Sequence, residues 1–388
     1  MSDVVTAVPL LDLKAQYVGM RDEIRAAMDD VCDAQYFILG PKVTEFEAHV
    51  AEYCGTADAI GVSSGSDALL VALMALGIGP GDAVLTTPYT FFATVGAIVR
   101  LGAVPIFADI DATSFNMDAV SARAAAESMA EKHPGLKLKA MVPVHLYGQS
   151  ADMDALMKLA DDFDLAVVED AAQAIGVEYK SESVVKRVGS MGDAGCFSFF
   201  PSKNLGGFGD GGIVTTNNSE LAERIRQLRN HGSEPKYYHK LVGGNFRLDA
   251  LQAAVLDIKL GYLDSWHAKR RQNADLYEKL FEGSAVVTPQ AVYRDAGITN
   301  YHIYNQFVVR VPNRDAAKQA LLDANIGCDI YYPVPLHLQE CFVDLGYVAG
   351  DFPVSERAAA ETLALPIYPE LTESMQEYVA KTLIAAVG

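Results

Sequence analysis

The sequence predicts an α/β chain: a mostly parallel central sheet sandwiched by helices, with a smaller C-terminal α+β domain. Three observations carry this. Short apolar runs alternate with helical patterns from about residue 58 to 216, and runs linked in that way pack as a parallel sheet covered on both faces. The pattern changes after roughly residue 285. The 388 residues, 50% hydrophobic and 21% charged, can fill the core of one large domain and a smaller one. The expected division is an N-terminal segment plus large domain over 1–265, then a linker helix and small domain over 266–388.

Taken in order, AIGVSS (59–64) reads as a strand and GSDALLVALMAL (65–76) as a helix. AVLTTP (83–88) is followed by the helical FFATVGAIVRLG (91–102), and VPIFADI (104–110) leads to a helix near 118–133. KAMVPVHLYG (139–148) precedes DMDALMKLADDF (152–163), where Met153, Leu156, Met157, Ala160 and Phe163 recur at helical spacing. LAVVED (165–170) is an apolar run ending in acids. CFSFF (196–200) and GIVTT (212–216) read as two strands around a glycine-rich loop. Leu248, Leu251, Val255, Ile258 and Tyr262 step along a long helical region that continues through LDSWHAKRRQNADLYEKLF. YNQFVVRV (304–311) is strand-like, NRDAAKQALLDANI (313–326) helical, and two further helices end the chain.

Composition excludes several classes. No run of about 18 apolar residues exists, so no membrane span is expected. The opening MSDVVTAVPLLDLKAQY has an early acid and no basic region ahead of an apolar one, so it does not read as a secretion signal. Five scattered cysteines without a CxxC pair point to reduced thiols in a cytoplasmic protein, with no zinc site and no disulfide framework. A net charge of −19 argues against a nucleic-acid partner.

The chemistry centres on CFSFFPSKNLGGFGDGG (196–212), where Lys203 stands between aromatic residues and glycines. A phosphate-binding GxxxxGK[ST] loop puts its glycines before the lysine, and here they follow. A GxGxxG dinucleotide fingerprint between a first strand and a helix is also missing, which disfavours a nicotinamide oxidoreductase. The remaining use is a Schiff base between Lys203 and a carbonyl, as pyridoxal phosphate enzymes employ. That use needs a phosphate cradle, an acid for the ring nitrogen and an aromatic cover. Ser64, Gly65 and Ser66 at a strand-to-helix junction, Asp170 at a strand end and the aromatics of TPYTFFAT (87–94) supply candidates. Singly, a helix cap or a core aromatic explains each; together they are specific.

At this point the chain resembles the pyridoxal-phosphate sugar aminotransferases of the DegT/StrS type, within the aspartate-aminotransferase (type I) fold. The resemblance runs through FILGPKVTEFE (37–47), VSSGSDAL (62–69), VHLYGQSADMD (144–154), VVEDAAQAIG (167–176), FSFFPSKNLGGFGDGG (197–212), RNHG (229–232), GGNFRLDALQAAVL (243–256) and YYPVPLHLQ (331–339). It implies pyridoxal 5'-phosphate as cofactor, bound to Lys203, which also shuttles the proton. Asp170 would hold the pyridine nitrogen protonated, Gln173 would lie near the ring oxygen, and Phe91 would stack on the ring. Gly65, Ser66 and Ser198 would bind the phosphate. Asn245 would reach the cofactor of a neighbouring subunit, which implies a homodimer with shared active sites. Tyr331, Tyr332, His337 and Arg247 are the implied substrate contacts, with His231 a further cation. Tyr331 stands where many members have histidine, and Ser66 where the family often has threonine. Lys203 argues against the branch that replaces it with histidine and dehydrates.

The implied reaction moves the amino group of L-glutamate to a keto group of a nucleotide-linked sugar, for amino-sugar or polysaccharide biosynthesis. The wording of two motifs points to C3; alternatives are a 4-keto substrate, or a non-catalytic regulatory protein of the same fold.

Overall fold

In the computed structural model residues 5–388 are described; residues 1–4, which open the stretch read for a secretion signal, lie outside them. Seven strands form the central sheet: β1 (Asp58–Val62), β2 (Asp82–Thr86), β3 (Val104–Phe107), β4 (Lys137–Met141), β5 (Ala166–Asp170), β8 (Ala194–Ser198) and β9 (Gly212–Thr216). A two-stranded hairpin, β6 (Glu178–Ser181) and β7 (Val184–Arg187), lies between β5 and β8 in the chain. The order across the sheet is β1-β9-β8-β5-β4-β2-β3. β8, β5, β4, β2 and β3 pair in parallel, and β9 runs antiparallel to both β1 and β8. The carboxyl ends of β1, β2, β5 and β8 therefore meet on one side, with the start of β9 among them.

Both faces are covered, and the pleat explains how. Alternate residues of a strand point to opposite faces. Ile60, Val62, Val84, Val168, Cys196 and Val214 pack with the helices Gly65–Ala75, Phe92–Arg100 and Ser219–Arg229. Ala59, Phe197 and Ile213 pack with the helices Arg21–Ala34, Pro41–Cys54 and Ala250–Leu260. Ala83, Leu85, Met141 and Val167 take the helices Ala119–Lys132 and Met153–Phe163. Most strands are thus apolar on both sides, as a doubly covered sheet requires.

Beyond the sheet, the long helical region is two helices, Ala250–Leu260 and Leu263–Leu280, broken at Gly261–Tyr262. The expected division at 265/266 falls inside the second of these. β10 (Phe307–Arg310) and β11 (Thr362–Leu365) pair antiparallel, and the helices Arg314–Asp323 and Glu373–Val387 complete a separate core with Tyr277, Phe307 and Leu365. Val8 joins this C-terminal core: its N–H donates to the Asn325 carbonyl and its own carbonyl accepts the Gly327 N–H.

Two links fix the C-terminal elements to the rest, the first of them buried. The Arg270 guanidinium donates to the Tyr304 and Ile367 carbonyls. Asp109, just past β3, accepts the N–H groups of Val354 and Ser355 and so caps the helix Pro353–Glu361. No helix among the described residues is long and apolar enough to cross a membrane.

Candidate active site

A cavity of about 320 Å³ opens at the carboxyl ends of β1, β5 and β8, where open parallel sheets bind ligands. It brings together Gly65, Ser66, Phe91, Asp170, Gln173, Ser198, Lys203, Tyr331 and Tyr332 from five stretches of chain.

The cradle forms first. Ser64 caps the helix Gly65–Ala75: its hydroxyl accepts the Asp67 N–H at 3.1 Å, and its carbonyl accepts the Ala68 N–H. The two N–H groups before these, on Gly65 and Ser66, have no partner among the described residues, the usual state of a helix start. They carry the positive end of an 11-residue helix. Gly65 is required there, because a Cβ would lie 2.5 Å from the Ser198 Cβ at the end of β8. Ser198 is therefore seated directly against the helix start.

Lys203 sits on the loop after β8. Its N–H donates to the Phe200 carbonyl, and the Gly207 N–H donates to the Phe199 carbonyl, closing a tight loop around it. The next residue, Asn204, is anchored by the Ile303 carbonyl and by Asn305. Burial pushes the Lys203 ammonium down to about 8, against the opposing charge of Asp170. An amine held there is a nucleophile near neutral pH.

Asp170 ends β5. Its Oδ2 accepts the Thr94 hydroxyl at 2.7 Å, and its Oδ1 accepts the Ala172 N–H at 3.2 Å. Burial pushes its carboxyl up; Thr94, the Ala172 N–H and the Lys203 charge pull the other way. A buried anion in that position favours a cation facing it. Gln173 is locked in orientation, with Oε1 accepting the Tyr147 N–H and Nε2 donating to the Tyr332 hydroxyl. Tyr332 packs edge-on to Tyr89 and is stacked with Tyr147. Phe91 caps the helix Phe92–Arg100 with its ring exposed at the cavity.

Behind the strand, Glu169 is fully buried and accepts the N–H groups of Gly189, Met191 and Gly192. It also accepts from His145 Nε2, which must carry the proton because Nδ1 accepts the Ala151 N–H. Burial alone would push the Glu169 carboxyl up, but the hydrogen bonds from His145, Gly189 and Gly192 hold it below the usual carboxylate range.

These residues fit pyridoxal phosphate. Unpartnered helix N–H groups suit its phosphate, a depressed lysine suits its aldehyde, and a buried carboxylate suits its protonated ring nitrogen.

Four expected residues are not brought to this cavity's wall. His337 is buried on the short 3-10 turn Leu336–Leu338, with Nε2 donating to Glu356 and its ring edge-on to Phe352. That turn gives it a structural partner in place of the cavity. Arg247 donates to the Asn230 side chain, and Asn245 is exposed. The two flank Phe246, whose carbonyl accepts the Ser63 N–H beside the cradle. His231 is exposed with its carbonyl on the His239 ring.

Several wall residues escaped the sequence reading. Gln306, Asp210, Ser202 and Thr90 line the cavity, and Thr94 bonds Asp170. A signal for Thr94 lies in the sequence: Thr90 and Thr94 are four apart in TPYTFFAT, the spacing of neighbours on a helix, and bond each other at 3.1 Å.

Comparison with known proteins agrees with the geometry. The description of the DegT/DnrJ/EryC1/StrS aminotransferase family matches residues 19–384. The chain is 47% identical to the "pleiotropic regulatory protein" of Geobacillus stearothermophilus, covering 97% of each. It is 41% identical to the UDP-N-acetyl-3-dehydro-alpha-D-glucosamine 3-aminotransferase of Acidithiobacillus ferrooxidans, again covering 97% of each. Among solved structures it superposes on S. venezuelae DesV in complex with a ketimine intermediate, with a TM-score of 0.90, 40% identity and 98% of each chain covered. The fold, the cavity and these matches make the chain a member of the DegT/DnrJ/EryC1/StrS aminotransferase family.

Proposed function

We propose that the protein uses pyridoxal 5'-phosphate to move the amino group of L-glutamate to C3 of a nucleotide-linked keto sugar. The observation that carries this reading is one cavity holding the depressed Lys203 amine, the buried Asp170 carboxylate and the free N–H groups of Gly65 and Ser66. The C3 choice is supported by the name of the Acidithiobacillus relative.

The cofactor, when bound, supplies an electron sink for the carbon that gains or loses a proton. Every other part belongs to the chain. Lys203 holds the aldehyde and, once displaced, takes and returns a proton at Nζ. Asp170, fixed by Thr94, holds a proton on the ring nitrogen. Gly65, Ser66 and Ser198 hold the phosphate, Phe91 covers the ring, and Gln173 and Tyr332 form the facing wall. Tyr331 lies at the outer wall, open to a sugar.

The homodimer belongs to this reading as well. Phe200, Tyr237 and Tyr238 are exposed at 53%, 80% and 68%, and a second copy would cover them. Asn245 and Arg247, unused at their own cavity's wall, are the residues offered to a second copy's site. We place the protein in the cytoplasm and divide it at 265/266 into cofactor and C-terminal units.

Borohydride reduction in the presence of pyridoxal phosphate tests the reading. The cofactor's mass is expected on the peptide carrying Lys203, and L-glutamate is expected to bleach the visible band before reduction. UDP- and dTDP-linked 3-keto sugars are expected to restore that band, with 4-keto sugars slower. Mass on another lysine overturns the site. The Geobacillus relative's name favours a second, regulatory reading, which gains if the band bleaches but no sugar restores it.

A further inference from the structure

A buried lysine touches the loop that carries Lys203. Lys259 lies in the last turn of the helix Ala250–Leu260 and is only 3% exposed. Its Nζ donates to the Gly206 carbonyl at 2.5 Å and lies 5.3 Å from the centre of the Phe208 ring. No carboxylate pairs with it among the described residues, so burial pushes it down to about 8 with nothing opposing. Proteins seldom bury an uncompensated ammonium, because removing it from water is costly.

Its one polar partner explains the placement. Gly206 is pressed against the stretch just before Lys203: a Cβ there would lie 2.3 Å from the Pro201 carbonyl oxygen. The same helix holds the loop again two turns earlier, where Gln252 Oε1 accepts the Phe208 N–H at 2.7 Å. The loop is thus tied at its base by Gly207 to Phe199, and clamped from beneath by Lys259 and Gln252. Lys203 stands at its apex.

We infer that Lys259 is a positioning residue for Lys203: its ammonium pins the Gly206 carbonyl and holds the loop so that the Lys203 amine stays in its water-poor place at the cavity. A charged donor to a carbonyl is worth more than a neutral one, which is why a lysine serves here better than an amide. The inference rests on the proposed role of Lys203, but it concerns the free protein and can be tested without turnover.

The test is made on cofactor-free protein. Lys203 is titrated by the pH dependence of its labelling with an amine-reactive reagent, read by mass spectrometry. Hydrogen exchange of residues 204–209 is followed alongside. Asp170 is the charge facing Lys203, and Asp210, Tyr331 and Tyr332 share its cavity; none is altered. In Lys259→Met the Lys203 midpoint is expected to rise from about 8 towards the ordinary value as water enters. Loop exchange is expected to quicken about tenfold or more, while the helix Ser219–Arg229 keeps its rate. A role confined to general stability would lower the unfolding midpoint and leave the Lys203 titration in place, and that result overturns the inference. Should Lys259→Met not fold, Lys203→Ala serves instead: with intrinsic exchange corrected for, its loop should loosen as pH passes about 8, through Lys259 alone. A flat profile there also overturns it. Borohydride mapping to another lysine would defeat the assignment of Lys203 without touching either readout.

Discussion

The Thr94 hydroxyl donates to Asp170 Oδ2 at 2.7 Å, linking the first turn of one helix to the end of β5 across 76 positions of sequence. That bond lowers the pKa of a carboxyl that burial raises. Removing it in Thr94→Val leaves more of Asp170 protonated at a given pH. The expected result is a loss in kcat/KM of about tenfold, or about 1.4 kcal/mol, with the acidic limb of the pH profile moved to higher pH. A pH–rate series on both proteins checks it.

Asp170→Asn keeps the shape of the side chain and removes its charge. The protein should fold and bind cofactor, while turnover falls on the order of 10²–10³, the size typical of losing one preorganised electrostatic contact. Steady-state rates, set beside a circular dichroism spectrum, separate lost chemistry from lost structure.

Gly65→Ala places a methyl group 2.5 Å from the Ser198 Cβ, at the start of the helix proposed to receive the phosphate. Cofactor affinity should fall at least about tenfold. Ser198→Gly in the same chain removes the colliding carbon and should recover part of the fold stability, which a fluorescence titration and thermal melt would register together.

The depressed amine at Lys203 makes a pH-dependent prediction for stability without cofactor. Its folded pKa of about 8 lies below its unfolded value, so the native state binds the proton less tightly. The charged form is therefore penalised at pH 7, and the penalty fades between about pH 8 and 10.5. Lys203→Met should be more stable than the parent at pH 7, by at most about 3 kcal/mol, and that advantage should shrink towards pH 10.5. Urea unfolding at the two pH values decides it.

Glu169→Gln replaces one of two acceptor oxygens with an NH₂ group, which then faces either the donors Gly189 and His145 or the donors Met191 and Gly192. A loss of about 3–5 kcal/mol in unfolding free energy is expected, as for other broken buried charge networks. Because the native carboxyl sits below its usual range, its contribution in the parent is present above the unfolded pKa and fades as pH falls through the folded one.

Lys203, Asp170 and the Gly65–Ser66 cradle were legible in the sequence because each stands at the end of a periodic apolar run, where the strand stops and the chain turns to a helix or loop. Gln306 and Asn305 were not, since only tertiary packing brings residues beside β10 to the loop after β8. β11, read over TLAL, is a short apolar run following directly on a helix, and such runs do not reveal their own type. The hairpin of β6 and β7 carries EYKS and VVKR, too polar and short to announce strands. Tyr262 continued the helical spacing past Gly261, so the break there was hidden by a matching side chain. His337 matched a motif letter for letter, yet its neighbours Glu356 and Phe352 decide where its ring goes.

Glu169 and Asp170 are consecutive in β5 and so face away from each other: one joins the His145 scaffold, the other enters the cavity. Sliding that strand by a single position would exchange them. The longer acid would then enter the pocket, and the shorter one would be left among donors it could not reach. Alignment of β5 between its neighbours therefore governs reactivity as well as folding, and a misaligned molecule would be both inert and unstable, exposing itself to removal before it could occupy substrate.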